Sequence, residues 1–252
     1  MVLAAIGAGL SYIGISDHSP LSMPSASRWW TRSEDMPAYR AELSRLKEKY
    51  KGKIHILSGI ELDIDSDPNW GEGFDYVIGA VHQLLPSGDY CSVDYTIDEF
   101  DRAVNTHFNA DPYEYVKAYF DKVRLLAKRD DCPIAAHIDL LCKFNEKYPR
   151  FDEESERYLE CAADCMEALT KAGKIIELNT GAITRGWKSV PYPSRAMLKM
   201  LREMDGKLML AADAHAGKDI AGYFYEAAAL AKECGFDELW TIDEHGLRPE
   251  KL

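Results

Sequence analysis

Leu208-Met209-Leu210-Ala211-Ala212-Asp213-Ala214-His215 is an apolar run that closes on a carboxylate and an imidazole two residues apart. In extended chain, residues two apart share a face, so Asp213 and His215 are expected to leave a strand side by side. Three other runs end in the same way: Ile13-Gly14-Ile15-Ser16-Asp17-His18, Val77-Ile78-Gly79-Ala80-Val81-His82 and Ile134-Ala135-Ala136-His137. A fifth, Ile56-Leu57-Ser58-Gly59-Ile60-Glu61, ends in a carboxylate. A single histidine at a strand end is most often a satisfied structural residue. Here four of the chain's seven histidines hold that position, together with Asp213 and Glu61. In a parallel α/β barrel all strand C-termini point to one face, so these side chains converge. Converging imidazoles and carboxylates point to a metal site.

The rest of the chain supports that architecture. Strands are expected at 12–17, 54–61, 76–82, 134–137, 175–179, 208–213 and 239–242, and helices at 34–50, 111–129, 152–172, 193–204 and 220–234. In 34–50 the apolar residues Met36, Tyr39, Leu43, Leu46 and Tyr50 recur at spacings of three and four, the helical period. Segment 152–172 opens on Asp152-Glu153-Glu154 and stops at Ala172-Gly173, acidic at its start as the helix dipole favours. Strand–helix alternation predicts a parallel sheet with right-handed crossovers, in a single domain over residues 1–252. The irregular stretches 19–33, 62–75 and 83–110 each follow a strand with a candidate ligand, which places them on the functional face. Residues 2–10 read as helix interior with no strand before them.

Bulk properties narrow the function. A chain of 252 residues with net charge -12 is ill suited to nucleic acid or anionic membranes, which call for clustered Lys and Arg. It can still take an anionic substrate, because bound metal ions reverse the local field. No stretch reaches the ~18–20 apolar residues of a membrane span, and the apolar start lacks the basic segment of a signal peptide. Six scattered cysteines without a CxxC pair read as free thiols in a reducing cytoplasm. Oligomeric state is not legible.

Other residues belong to the same face. Arg185 follows strand 175–179 through Asn179-Thr180-Gly181; a guanidinium there can fork two phosphate oxygens, or stand as a solvated loop arginine. Lys143, six residues past His137, is a weaker phosphate candidate. Asp139 reads either as an acceptor fixing an imidazole tautomer or as a loop cap. Trp29, Trp30 and Trp187 lie on the same loops and are placed to wall a pocket. His55 opens a strand and is assigned to the opposite face; His107 and His245 lie in loop-like context and are read as non-ligands. No GxxxxGK[ST], GxGxxG or GxSxG occurs, which argues against nucleotide and serine-hydrolase chemistry.

Taken together, Asp17-His18-Ser19-Pro20, Gly59-Ile60-Glu61, Gly79-Ala80-Val81-His82, Ala136-His137-Ile138-Asp139-Leu140 and Ala212-Asp213-Ala214-His215 resemble the PHP (polymerase and histidinol phosphatase) superfamily. Within it the chain looks like the PHP-type histidinol-phosphate phosphatases, over essentially its whole length. The resemblance implies a distorted (β/α)7 TIM-like barrel with two or three divalent ions (zinc, manganese or iron) and hydrolysis of a phosphomonoester. The substrate it implies is the small phosphorylated metabolite L-histidinol phosphate, in histidine biosynthesis. By that resemblance Glu61 bridges two metals, His82 and His137 complete one site, Asp213 belongs to a second, and His18 with His215 to a third. Arg185, on the loop that continues to Tyr192-Pro193-Ser194, is implied to hold phosphate, and Asp213 with His215 to supply the leaving-group proton. Another small phosphate, or metal and phosphate binding without turnover, are the alternatives. The family opens with a His-x-His strand, and no histidine precedes His18. The expectation is therefore a barrel whose first strand is missing from this chain, with only the Glu61–His82–His137 site complete. Ile13 and Ile15 would then be interior residues short of packing partners, beside an open strand edge that invites association.

Overall fold

The computed structural model describes residues 1–21 and 30–252; Trp29, one of the three expected pocket tryptophans, lies outside them. Ten strands and eight α-helices are formed among the described residues. The strands are β1 (Tyr12–His18), β2 (His55–Asp63), β3 (Tyr76–Ala80), β4 (Gln83–Leu84), β5 (Cys91–Ser92), β6 (Ile134–Ala135), β7 (Ile175–Asn179), β8 (Lys207–Ala211), β9 (Glu238–Asp243) and β10 (Gly246–Lys251). The helices are α1 (Val2–Gly7), α2 (Met36–Lys49), α3 (Ile97–His107), α4 (Pro112–Val123), α5 (Glu156–Lys171), α6 (Gly181–Thr184), α7 (Arg195–Glu203) and α8 (Phe224–Glu233). One curled sheet has the order β1-β2-β3-β6-β7-β8-β9-β10. It is parallel throughout except for the last pair, the β9–β10 hairpin. Among the described residues β1 pairs with β2 alone, so the barrel-like sheet stays open there. The two ends of the sheet still approach, because the Tyr12 hydroxyl donates to Glu244 in the β9–β10 turn.

Period-two alternation sorts the strand residues. Leu57, Tyr76, Ile134, Ile175 and Met209 form a cluster inside the curl. Ala135, Ile176, Leu178 and Leu208 belong to the large core that includes residues of α3, α4, α5, α7 and α8. Ile13 packs with Val2 and Ala5 of α1 and with Ile56. This corrects the expectation that Ile13 and Ile15 are barrel-interior residues. The interior positions of β1 are Gly14 and Ser16; the Tyr76 ring lies so close over Gly14 and Gly59 that an added Cβ would meet it at 2.5 and 2.2 Å.

Several boundaries move for identifiable reasons. Segment 83–110, expected to be irregular, contains the β4–β5 hairpin and α3. Helix α3 is started by the Thr96 hydroxyl accepting from the Glu99 amide at 3.2 Å, an N-cap readable as T-x-x-E. Helix α5 begins at Glu156 with Ser155 as its cap, not at Asp152, since Asp152 Oδ1 accepts from the Glu154 amide and Glu153 pairs with buried Lys188. Strand β8 stops at Ala211, and Asp213 turns into the left-handed region with φ 44°. Asp213 and His215 therefore leave a bend rather than an extended strand.

Candidate metal and phosphate site

The parallel register between β1 and β2 pairs His18 with Glu61, and β2 with β3 pairs Glu61 with Ile78. His82 follows β3 and His137 follows β6, so their rings arrive at the same end of the sheet as Glu61. The Glu61 carboxylate sits among all three imidazoles. Its Oε1 lies 3.2 Å from His82 Nε2 and 3.1 Å from His137 Nε2, and its Oε2 lies 3.5 Å from His18 Nδ1. A tetrahedral ion with ligands at about 2.0–2.1 Å has ligand–ligand edges of about 3.3 Å. The observed oxygen–nitrogen separations match those edges, and the ligand atoms of His18, Glu61 and His82 all lie within 4.8 Å of one another. This donor set, an ionised carboxylate and imidazoles on rigid strand ends, fits a divalent cation.

The electrostatics agree with that reading. Burial pushes the Glu61 carboxyl up, but His18 and the bonds from His137 and His82 outweigh it and hold it well below the carboxylate range. Burial would lower His82; Asp63 and Glu61 outweigh it and hold the ring well above its ordinary value. His137 is raised against the same burial by Glu61. Burial dominates at His18 and lowers it. Protons on His82 and His137 thus stand where a cation would, and a metal must displace them.

Asp63 is the residue the sequence reading missed. Its Oδ2 accepts from the His82 backbone amide at 3.1 Å and lies 3.3 Å from His82 Nδ1, which leaves Nε2 directed at Glu61. This is the tautomer-fixing arrangement of a metal-binding histidine. The signal was present, because Glu61 and Asp63 are two apart on one strand. Asp139, read as either such an acceptor or a loop cap, is buried; the backbone amides that act on its carboxyl are its own and that of Ser194, and its side chain does not cap the turn that follows.

Arg185, Asp213 and His215 form a second group. Arg185 donates to the Asp213 carbonyl at 2.7 Å, to Asp213 Oδ2 at 3.0 Å and to His215 Nδ1 at 3.0 Å. His215 is 61% exposed. Asp213 is near enough for its charge to act on His137, but it is engaged by a guanidinium. Gly181 is needed beside it, since a Cβ there would stand 2.8 Å from Asp213 and 2.9 Å from Arg185. Lys143 Nζ donates to Asp94, at 2.7 Å to the carbonyl and 3.0 Å to Oδ2. Trp30 stands edge-on to His18 and His82, with centroids 5.3 and 5.5 Å away. Trp187 packs instead on Phe144.

The remaining histidines lie elsewhere. His55 is exposed at the start of β2, and His245 at the β9–β10 turn. His107 ends α3 rather than a loop, with Nε2 2.8 Å from Asp89 and Cys91 close by; Arg102 already pairs with that Asp89 at 2.7 Å.

The PHP domain family model matches residues 1–181. A histidinol-phosphatase of Lactococcus lactis is 26% identical over 99% of this chain and 89% of its own. A histidinol-phosphatase of Bacillus subtilis is 24% identical over 88% of each. The crystal structure of the histidinol phosphate phosphatase from Lactococcus lactis, complexed with zinc, L-histidinol and phosphate, superposes with a TM-score of 0.72 at 23% identity, covering 98% of this chain and 90% of that one.

Proposed function

The chain belongs to the PHP domain family, and from that premise we propose that it is a metal-dependent phosphomonoester hydrolase acting on L-histidinol phosphate, a step of histidine biosynthesis. The observation that carries the reading is the convergence of His18, His82 and His137 on the two oxygens of Glu61. Glu61, His82 and His137 would hold one divalent cation, with His18 on the other Glu61 oxygen. Bound divalent ions supply a hydroxide at neutral pH and charge to stabilise the phosphoryl oxygens. Asp63 keeps His82 turned toward the site. Arg185, two N–H groups of which now engage Asp213, is the fork for phosphate oxygens, and the Asp213–His215 pair beside it is the nearest source of a proton for the leaving alkoxide. We place the enzyme in the reducing cytoplasm, a reading supported by six cysteines held as free thiols. The test is phosphate release from L-histidinol phosphate with added manganese or zinc. Turnover abolished by a chelator and restored by metal supports the proposal. Metal binding without release of phosphate from this or other monoesters would leave only a binding role.

A further inference from the structure

Two polar side chains of β7 stand inside the curl of the sheet. Ile175 belongs to the interior cluster, and Ile176 and Leu178 to the large core shared with the helices. Alternation therefore puts Glu177 and Asn179 on the face of Ile175, and both are buried. Burying polar groups is costly unless their hydrogen bonds are made. Here they are made, and they lead in two directions. Glu177 Oε2 accepts from the His137 amide at 3.3 Å and from Asn179 Nδ2 at 3.0 Å. Asn179 Oδ1 accepts in turn from the Gly181 amide at 2.9 Å. A backbone amide can only donate, so the Asn179 side chain has one orientation, with Nδ2 left for Glu177. The Gly181 carbonyl accepts from the Arg185 amide at 3.1 Å and from Thr184 Oγ1 at 3.0 Å. The line of bonds thus runs from the backbone of His137, whose ring lies 3.1 Å from Glu61, to the backbone of Arg185. The Asn179 backbone is fixed separately, by paired bonds with Tyr192 at 2.7 and 3.0 Å. An Asn oxygen on the amide two residues ahead is a common local turn. The bond through Glu177 is what ties this turn to a different strand.

We propose that Asn179, acting through Glu177, is a positioning residue that holds the Arg185 loop in register with His137, so that the phosphate fork and a cation ligand keep a set separation. The inference rests on the phosphatase reading above, which gives those two residues their tasks, and concerns what connects them. Misplacing a substrate clamp by about 1 Å costs up to about 100-fold. The share of Arg185 itself, as a hydrogen bond to a charged group, is about 10- to 100-fold. Loss of Asn179 should forfeit a large part of that share and nothing beyond it.

The first arm of the test needs neither metal nor substrate. Amide hydrogen exchange is read by NMR on the whole chain. Asn179→Ala should speed exchange at Gly181 and also at His137 by about 5-fold or more, the worth of one neutral hydrogen bond, while the Ile176 amide keeps its wild-type rate. Faster exchange at Gly181 with an unaltered His137 amide would reduce Asn179 to a local turn and overturn the proposal. The second arm is calorimetric binding of inorganic phosphate to the metal-loaded protein. Asn179→Ala should weaken it about 10-fold or more at equal metal content, and should cost nothing further in an Arg185→Ala background, because coupled residues are not additive. Equal costs in both backgrounds, or wild-type affinity in folded Asn179→Ala, refutes the assignment. Should Asn179→Ala fail to fold, Glu177 decides. Glu177→Gln keeps an accepting oxygen and should retain most of the phosphate affinity and His137 protection that Glu177→Ala loses; equal losses in the two overturn the proposal. If wild type binds no phosphate the phosphatase reading fails, while the exchange arm still decides the link from Asn179 to His137.

Discussion

Glu61 is surrounded by three imidazoles and Arg185 by a carboxylate, a carbonyl and a fourth imidazole. Each is a charge held ready for something of the opposite sign or a competing partner. For Arg185 the expected outcome of Arg185→Ala is a fall of about 1.5–3 kcal/mol in kcat/KM, the range for hydrogen bonds to charged groups. An unaltered kcat and KM would remove it from the phosphate site. A second residue sets a pH dependence. Glu177, buried on β7, accepts from Asn179 Nδ2 at 3.0 Å and from the His137 amide at 3.3 Å, and burial pushes its carboxyl up to about 7 from an ordinary 4.5. A carboxyl raised on folding binds protons more tightly in the folded state. Its contribution is therefore complete below the unfolded value and is lost as pH rises through the folded one. The metal-free protein should lose stability between pH 4.5 and about 7, and Glu177→Gln should reduce that loss by roughly 1–3 kcal/mol. Urea titrations at several pH values, with a chelator present, measure it. Parallel curves for the two proteins would show that Glu177 keeps its proton affinity on folding.

Elements carry the next level. Strands β1 and β2 come close to the Tyr76 ring only because Gly14 and Gly59 lack side chains. Gly59→Ala places a methyl 2.2 Å from that ring, and overpacking of this kind costs about 1–3 kcal/mol. In a Tyr76→Leu background the same substitution should cost less, since the partners are in contact and couple. Equal costs in both backgrounds, read from urea denaturation, would separate Gly59 from Tyr76. The same strands show what sequence alone delivers. Runs such as Val77–Val81 and Ile134–Ala136 were legible because buried parallel strands are continuously apolar, and their histidine ends followed at once. The β4–β5 hairpin was not legible, because strands of two residues leave no period to read. Helix α3 could have been found: Ile97, Phe100, Ala103 and Val104 keep a helical spacing behind the Thr96–Glu99 cap. The bend at Asp213 was hidden because an Asp-x-His triplet looks the same in a strand and in a left-handed turn, and only tertiary packing against Arg185 distinguishes them. Asp63 was passed over although a local signal existed, since it stands two residues past Glu61 on the same strand and so shares its face.

Across the whole molecule, the candidate site is a joint between distant parts of the chain, since His18, Glu61, His82 and His137 come from β1, β2 and the segments after β3 and β6. An ion that ligates all of them binds the folded state and meets no such cluster in the unfolded chain, so it stabilises by mass action. At a free metal concentration of about 100 times Kd the gain is about 2.7 kcal/mol. For a chain of this size each kcal/mol moves Tm by about 2–4 °C. Zinc or manganese should thus raise Tm by about 5–10 °C, reversibly on chelation. Metal binding by unfolded Cys and His reduces the shift. Two variants make the outcome specific. His137→Ala removes a ring that lies 3.1 Å from Glu61 and should abolish most of the shift, with a matching fall in metal content of the purified protein. His107→Ala disables the Asp89–Cys91–His107 group, where Arg102 already neutralises the carboxylate, and should leave the shift intact. A shift that survives His137→Ala and disappears in His107→Ala would move the principal metal site from the end of the parallel sheet to the group between the β4–β5 hairpin and α3, and the proposed chemistry with it.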